Sequence, residues 1–316
     1  MMRLKKVIFT LLAPLLILGC STSKGGWFQD NGKLKVLSTT AQVGDLVKAV
    51  GGDRVDGWVL IKGDLDPHSY EIVKGDGERL DRADLIFYSG LGLEHGASLS
   101  SILKNSSKST AIGDRIESAY PEQILKKGGV FDPHIWMDIS LWQKGVDPIV
   151  EALSAMDPEG AEGYRERGAI LSREMLDAHN QILEMMQKIP SEKRYLVTSH
   201  DAFHYFTRSY LADPGEISWQ ERFAAPEGLA PEGQLNPRDI QKIIDYLKMK
   251  NIWVLFPESS VSKDSIRKIA TAGNELGLNI QICSEPLYGD AMSGLTYLEM
   301  MHSNAKTISK YLWNMQ

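Results

Sequence analysis

The sequence predicts an α/β protein built in two halves, each around a parallel sheet, with one long α-helix between them. Three observations carry this. Short apolar strands alternate with amphipathic helices in both halves of the chain. A 31-residue stretch, Glu159 to Ile189, bracketed by Pro158 and Pro190, holds no internal proline and interrupts that rhythm. The length of 316 residues fits two domains at about 150 residues each.

Residues 1–19 read as a signal peptide. Arg3, Lys5 and Lys6 form a basic start, and Val7 to Gly19 is a largely apolar run too short for a permanent membrane span. It ends in the lipobox-like Ile17-Leu18-Gly19-Cys20, so cleavage before Cys20 would expose a thiol for lipid attachment. Residues 20–33 are polar and glycine-containing and read as the lipidated tether. An exported, membrane-anchored lipoprotein facing the periplasm or cell exterior is expected, in contact with membrane lipid only through Cys20.

Composition narrows the function classes. Apolar residues at 43% and charged residues at 24% are ordinary globular values. The net charge is −6, and loss of residues 1–19 removes three cations and no anion, leaving −9. That balance argues against a nucleic-acid binder. Cys20 and Cys283 are the only cysteines, so lipidation of one leaves no disulfide and no thiolate zinc site. A monomer is expected.

The first lobe is assigned to residues 34–157. Lys35–Thr40 reads as a strand, then Gln42–Val50 as a helix, with further strands at Trp58–Ile61, Asp84–Gly90 and Thr110–Ile112. The linking helix is assigned to 158–190. Tyr164, Leu171, Met175, Ala178, Ile182, Met186 and Ile189 recur at steps of seven, four and three, a single apolar stripe. A break at Gly168 into two helices is the competing expectation. The second lobe, 191–316, restarts with strands at Arg194–Thr198, Asn251–Phe256 and Asn279–Cys283. Its helices are predicted at Pro237–Met249, Lys263–Leu276 and Leu295–Asn314, and Gly215–Pro237 reads as loop.

The chemistry gathers in a repeated motif. Asp66-Pro67-His68 and Asp132-Pro133-His134 place an imidazole after a proline that stiffens its own φ and holds the preceding Asp extended. His200 follows a predicted strand in Thr198-Ser199-His200-Asp201. Ligands in open α/β sheets bind beyond the carboxyl ends of strands, and three imidazoles converging there make a transition-metal site. Asp66 and Asp132 are expected to orient the rings or cap the loops. A fourth ligand is expected after the last strand, where Glu285 and Asp290 compete.

With these pieces in hand, the chain resembles the solute-binding lipoproteins of bacterial zinc/manganese ABC transporters. The resemblance runs over residues 34–316. It rests on Asp66-Pro67-His68-Ser69-Tyr70-Glu71, Asp132-Pro133-His134-Ile135-Trp136-Met137-Asp138, Thr198-Ser199-His200-Asp201-Ala202-Phe203 and Leu287-Tyr288-Gly289-Asp290-Ala291-Met292. It implies two α/β lobes joined by one long helix, with one metal in the cleft and His68, His134, His200 and Asp290 as its ligands. It implies no catalysis, and delivery of the metal to an ABC permease in the membrane. Manganese-selective members often carry Glu where His200 stands, and zinc-type members often carry a His-rich loop. This chain has the His but no His-rich loop between Glu117 and Val130. Three imidazoles and a carboxylate suit Zn²⁺, and a bidentate Asp290 would admit Mn²⁺ or Fe²⁺. Glu258 is expected to brace the cleft. Because imidazoles must be neutral to ligate, affinity is expected to fall below about pH 6.

Two rival readings remain on the residues. His200-Asp201-Ala202-Phe203-His204 resembles the zincin pattern of a zinc-dependent hydrolase, with Asp in place of Glu. A surface adhesin lipoprotein is the other, although no adhesive repeat or aromatic patch favours it.

Overall fold

The computed structural model describes residues 26–230 and 235–314. The predicted signal peptide, Cys20 and the start of the tether lie outside the described residues.

The first half contains β1 (Leu34–Ser38), α1 (Ala41–Gly51), β2 (Val55–Val59), α2 (Asp76–Arg82), β3 (Leu85–Tyr88), α3 (Ala97–Asn105), β4 (Ser109–Ala111) and α4 (Ile112–Ala119). The hairpin β5 (Lys126–Lys127) and β6 (Val130–Phe131) follows, then α5 (Ile139–Trp142) and α6 (Val146–Met156). Its four parallel strands lie in the order β2-β1-β3-β4. Neighbouring residues of β1, Val36 and Leu37, are both fully buried but enter different apolar clusters, because each face of the sheet is covered. Val36, Leu85 and Phe87 face the main core, whereas Leu37 and Ile86 face a smaller one with Trp27, Leu80 and Leu99.

The linking helix α7 (Ala161–Gln187) is 27 residues long, about 40 Å at 1.5 Å per residue. A turn of 3₁₀ helix, Pro158–Gly160, leads into it. It does not break at Gly168. A Cβ there would come within 2.7 Å of the Val150 side chain, so the glycine lets α7 lie close against α6. Tyr164, Met175, Ala178, Ile182 and Met186 of the predicted stripe are buried, each large apolar member stabilising the fold by about 1.5–3 kcal/mol. Leu171 is half-buried, and Ile189 is buried just past the helix end.

The second half contains β7 (Leu196–Val197), α8 (His204–Phe206), β8 (Phe223–Ala224), α9 (Pro237–Lys250), β9 (Val254–Leu255), α10 (Asp264–Glu275), β10 (Gln281–Ile282) and α11 (Tyr297–Asn314). Parallel pairs β7–β8 and β9–β10 are joined by a parallel bridge between Thr198 and Phe256. The resulting order, β8-β7-β9-β10, repeats that of the first sheet. The strands are shorter than predicted, and β8 falls inside the segment expected to be loop. α9 begins as its sequence dictates, with Asn236 as N-cap, Pro237 at the first position and Asn251 closing it at φ 54°. α7 packs against α1, α5 and α6 from the first half and against α11 from the second. One continuous apolar core therefore runs through both lobes. Among the described residues no helix is long and apolar enough to cross a membrane.

Candidate metal centre

Four loops meet between the lobes. His68 lies on the irregular stretch after β2, and His134 opens the turn Ile135–Met137 after the hairpin. His200 follows β7, and Asp290 stands between β10 and α11. One ligand-type atom from each residue falls within a sphere where all lie within 4.8 Å of one another. Nε2 of His68 is 3.2 Å from Nε2 of His134 and 3.8 Å from Asp290 Oδ2. Nε2 of His134 is 3.4 Å from Asp290 Oδ1, and Nε2 of His200 is 3.2 Å from Oδ2. Donors at about 2.0–2.1 Å from a tetrahedral ion sit about 3.3–3.4 Å apart, so this spacing suits a small cation. His134 and His200 are fully buried, with His68 and Asp290 at 2% and 5% exposure.

Carboxylates behind two of the rings set which nitrogen faces inward. Asp132 Oδ1 lies 2.7 Å from His134 Nδ1 and also accepts the His134 backbone N–H. Glu258, itself buried, puts Oε2 2.7 Å from His200 Nδ1 and accepts the His200 backbone N–H through Oε1. Each carboxylate thus lies on the Nδ1 side of its ring, Asp132 by a hydrogen bond and Glu258 by a close charge contact, and leaves Nε2 facing the centre. Asp66 differs from Asp132: it accepts from the His68 backbone and the Ser69 hydroxyl, and so caps the loop without touching the ring.

The charges are strongly coupled. Burial pulls the His68 imidazole down to about 4. Burial acts the same way on His134, but Asp132 and Asp290 outweigh it and raise that ring to about 9. Glu258 and Asp290 likewise lift His200 well above its usual value against its burial. Burial would raise Asp290, yet the facing imidazoles hold it well below the carboxylate range. Both Asp290 oxygens and His200 Nε2 make no hydrogen bond among the described residues. Buried donors aimed at one point with no other partner are what a cation would satisfy.

Several contributors gave no sequence signal. Gln42 Nε2 donates to the Asp290 carbonyl, and Trp136 Nε1 donates to the Gly289 carbonyl, both across the lobe boundary. Trp136 also packs edge-on against His134. Gly289 leaves room for the centre, since a Cβ there would lie 2.4 Å from Glu258 Oε2. Glu94, buried, accepts from Thr39 Oγ1 and from the Ser89 and Gly90 amides, tying together the loops after β1 and β3.

The rival candidates stand elsewhere. Glu285 pairs with Lys310 on α11. His204 faces Asp201 and Asp132 at 3.4 and 3.6 Å and packs on Phe223. His200 precedes α8, so His200 and His204 do not share a helix as the hydrolase pattern requires.

The model of the family described as "Zinc-uptake complex component A periplasmic" (ZnuA) matches residues 36–311. The chain belongs to this family. Its members are the substrate-binding components of metal ABC transporters. The metal-binding protein YtgA of Chlamydia pneumoniae is 37% identical over 299 residues, covering 94% of this chain and 90% of that protein. The manganese-binding lipoprotein MntA of Bacillus subtilis is 32% identical over 315 residues, covering 96% and 97%. The crystal structure of Fe(III)-bound YtgA from Chlamydia trachomatis matches with a TM-score of 0.85 at 36% identity, covering 89% of this chain and 98% of that one. The family membership accords with the α/β fold and with the transport reading of the sequence.

Proposed function

We propose that this protein captures a divalent transition metal outside the cytoplasm and hands it to an ABC permease, with Zn²⁺ as the first cargo. The observation that carries this is the buried group of His68, His134, His200 and Asp290, in which His200 Nε2 and both Asp290 oxygens make no hydrogen bond among the described residues. Three neutral imidazoles and one carboxylate make a four-coordinate donor set that favours Zn²⁺. Mn²⁺ or Fe²⁺ is the second reading. It draws on the two Asp290 oxygens, which together would supply a fifth, hard donor. Relatives described as manganese-binding and as Fe(III)-bound support keeping it.

Lobes of 34–157 and 191–316, joined by the helical segment 158–190, supply two ligands each. Cys20 carries the lipid, residues 20–33 form the tether, and the body acts as a monomer. Metal analysis of protein purified without chelator, with competition titrations of Zn²⁺, Mn²⁺ and Fe²⁺, tests the assignment. One ion per chain and a loss of orders of magnitude in affinity in His68→Ala or His134→Ala are expected. Unchanged stoichiometry and affinity in both variants would reject it.

A further inference from the structure

The two edges of the cleft are closed in different ways. On one edge, residues 123–132 of the first half meet residues 201–208 of the second. Tyr205 Oη accepts from the Leu125 amide at 2.9 Å and donates to the Asp132 carbonyl at 3.1 Å. Arg208 donates to the Gln123 carbonyl, and Lys127 on the hairpin pairs with the buried Asp201. These bonds are buried or half-buried and mostly engage backbone atoms, so they form a seam that resists opening.

On the other edge, the loop carrying His68 faces the loop carrying Asp290. These are the two members of the cluster that keep residual exposure. The Ser293 hydroxyl donates to Asp64 Oδ1 at 2.6 Å across this edge, and both residues are exposed. Asp64 is four residues from His68, and Ser293 is three residues from Asp290. Ser293 adopts φ 46°, which an L-residue with a side chain rarely holds unless its surroundings favour it. His68 has no carboxylate behind its ring among the described residues, unlike His134 and His200.

On the metal-capture reading above, we infer that Asp64 and Ser293 are positioning residues that latch the His68 and Asp290 loops together, and that the ion enters and leaves on this edge. The latch touches neither the ion nor its ligands. It stabilises the closed arrangement in which both loops present their donors. Breaking it favours the open arrangement, so release accelerates more than capture slows.

The test is stopped-flow release of Zn²⁺ from loaded full-length chain into excess chromogenic chelator, paired with the association rate. Ser293→Ala and Asp64→Ala are expected to speed release by about 3- to 10-fold, the range for one exposed charge-assisted hydrogen bond. Association should change by less than twofold. Asp64→Asn keeps an acceptor oxygen and should restore slow release. Ser293→Gly accepts the left-handed backbone without the hydroxyl, and should release as fast as Ser293→Ala if the hydroxyl is what matters. Lys127→Met, on the opposite edge, should leave the release rate within twofold of the parent. Wild-type release in both latch variants, or faster release in Lys127→Met alone, would overturn the latch while leaving metal capture intact. Failure of the parent chain to bind Zn²⁺, Mn²⁺ or Fe²⁺ would instead overturn the capture reading and the latch with it.

Discussion

Replacing Glu258 by glutamine tests how far the groups behind the ligands set the affinity. The side chain is almost fully buried, and it serves His200 twice, through the backbone N–H at 2.8 Å and beside Nδ1 at 2.7 Å. Glutamine has nearly the same shape, so packing around Gly289 is preserved. It carries only one acceptor oxygen. If that oxygen keeps the His200 amide, the NH₂ group faces Nδ1, donor against donor, and Nε2 loses its inward tautomer. If it turns to Nδ1, the buried His200 amide is left facing a donor. Loss of such a partner costs about 10- to 100-fold in metal affinity, or about 1.4–2.7 kcal/mol. The assay is competition of Zn²⁺ between the protein and a chelator of known affinity at pH 7, with circular dichroism showing both variants folded. A dissociation constant within twofold of the parent would refute the claim that Glu258 orients His200.

Other expectations follow from the same geometry. At pH 7 the metal-free centre holds protons on His134 and His200, because both are raised, so binding must expel them. Affinity should therefore climb by about one to two powers of ten per pH unit from pH 6 to 8 and flatten as His134 loses its proton near 9, read as protons released in weakly buffered titrations. This moves the proton competition above the pH 6 limit expected for ordinary imidazoles. The sign is opposite for the metal-free fold. A raised His134 contributes stability that is fully present below about pH 6.5 and is lost as pH rises through about 9, so its melting temperature should fall across that window. Gly289→Ala should weaken metal binding at least tenfold, since the added methyl must displace Glu258, and isothermal titration checks it. Saturating Zn²⁺ at about 1,000 times the dissociation constant should stabilise the parent by about 4 kcal/mol, a shift absent from His134→Ala in thermal melts.

The sequence by itself determined the α/β class, the long helix and the residues with chemistry to offer. These are legible because they depend on local order. Strand and helix periodicities are short-range, the proline-free run after Pro158 is a contiguous fact, and Asp-Pro-His is stiff whatever surrounds it. The choice between Glu285 and Asp290 was open from chain position alone. In the fold one reaches Lys310 and the other lies 3.2–3.8 Å from three imidazoles. Only tertiary structure could decide that Asp132 holds a ring while Asp66 caps a loop, because the two motifs are identical in sequence. It alone brought in Gln42 and Gly289 and set the partners of Trp136 and Glu258, through contacts that span 58 to 248 residues of chain. Gly168, which reads as a helix breaker, is a packing residue because α6 needs the space. The short strand β8 and the hairpin at Lys126–Phe131 leave no sequence signal because two-residue strands have no periodicity to detect; the hairpin pairs with itself, and β8 exists only because it meets β7 from 27 residues earlier in the chain.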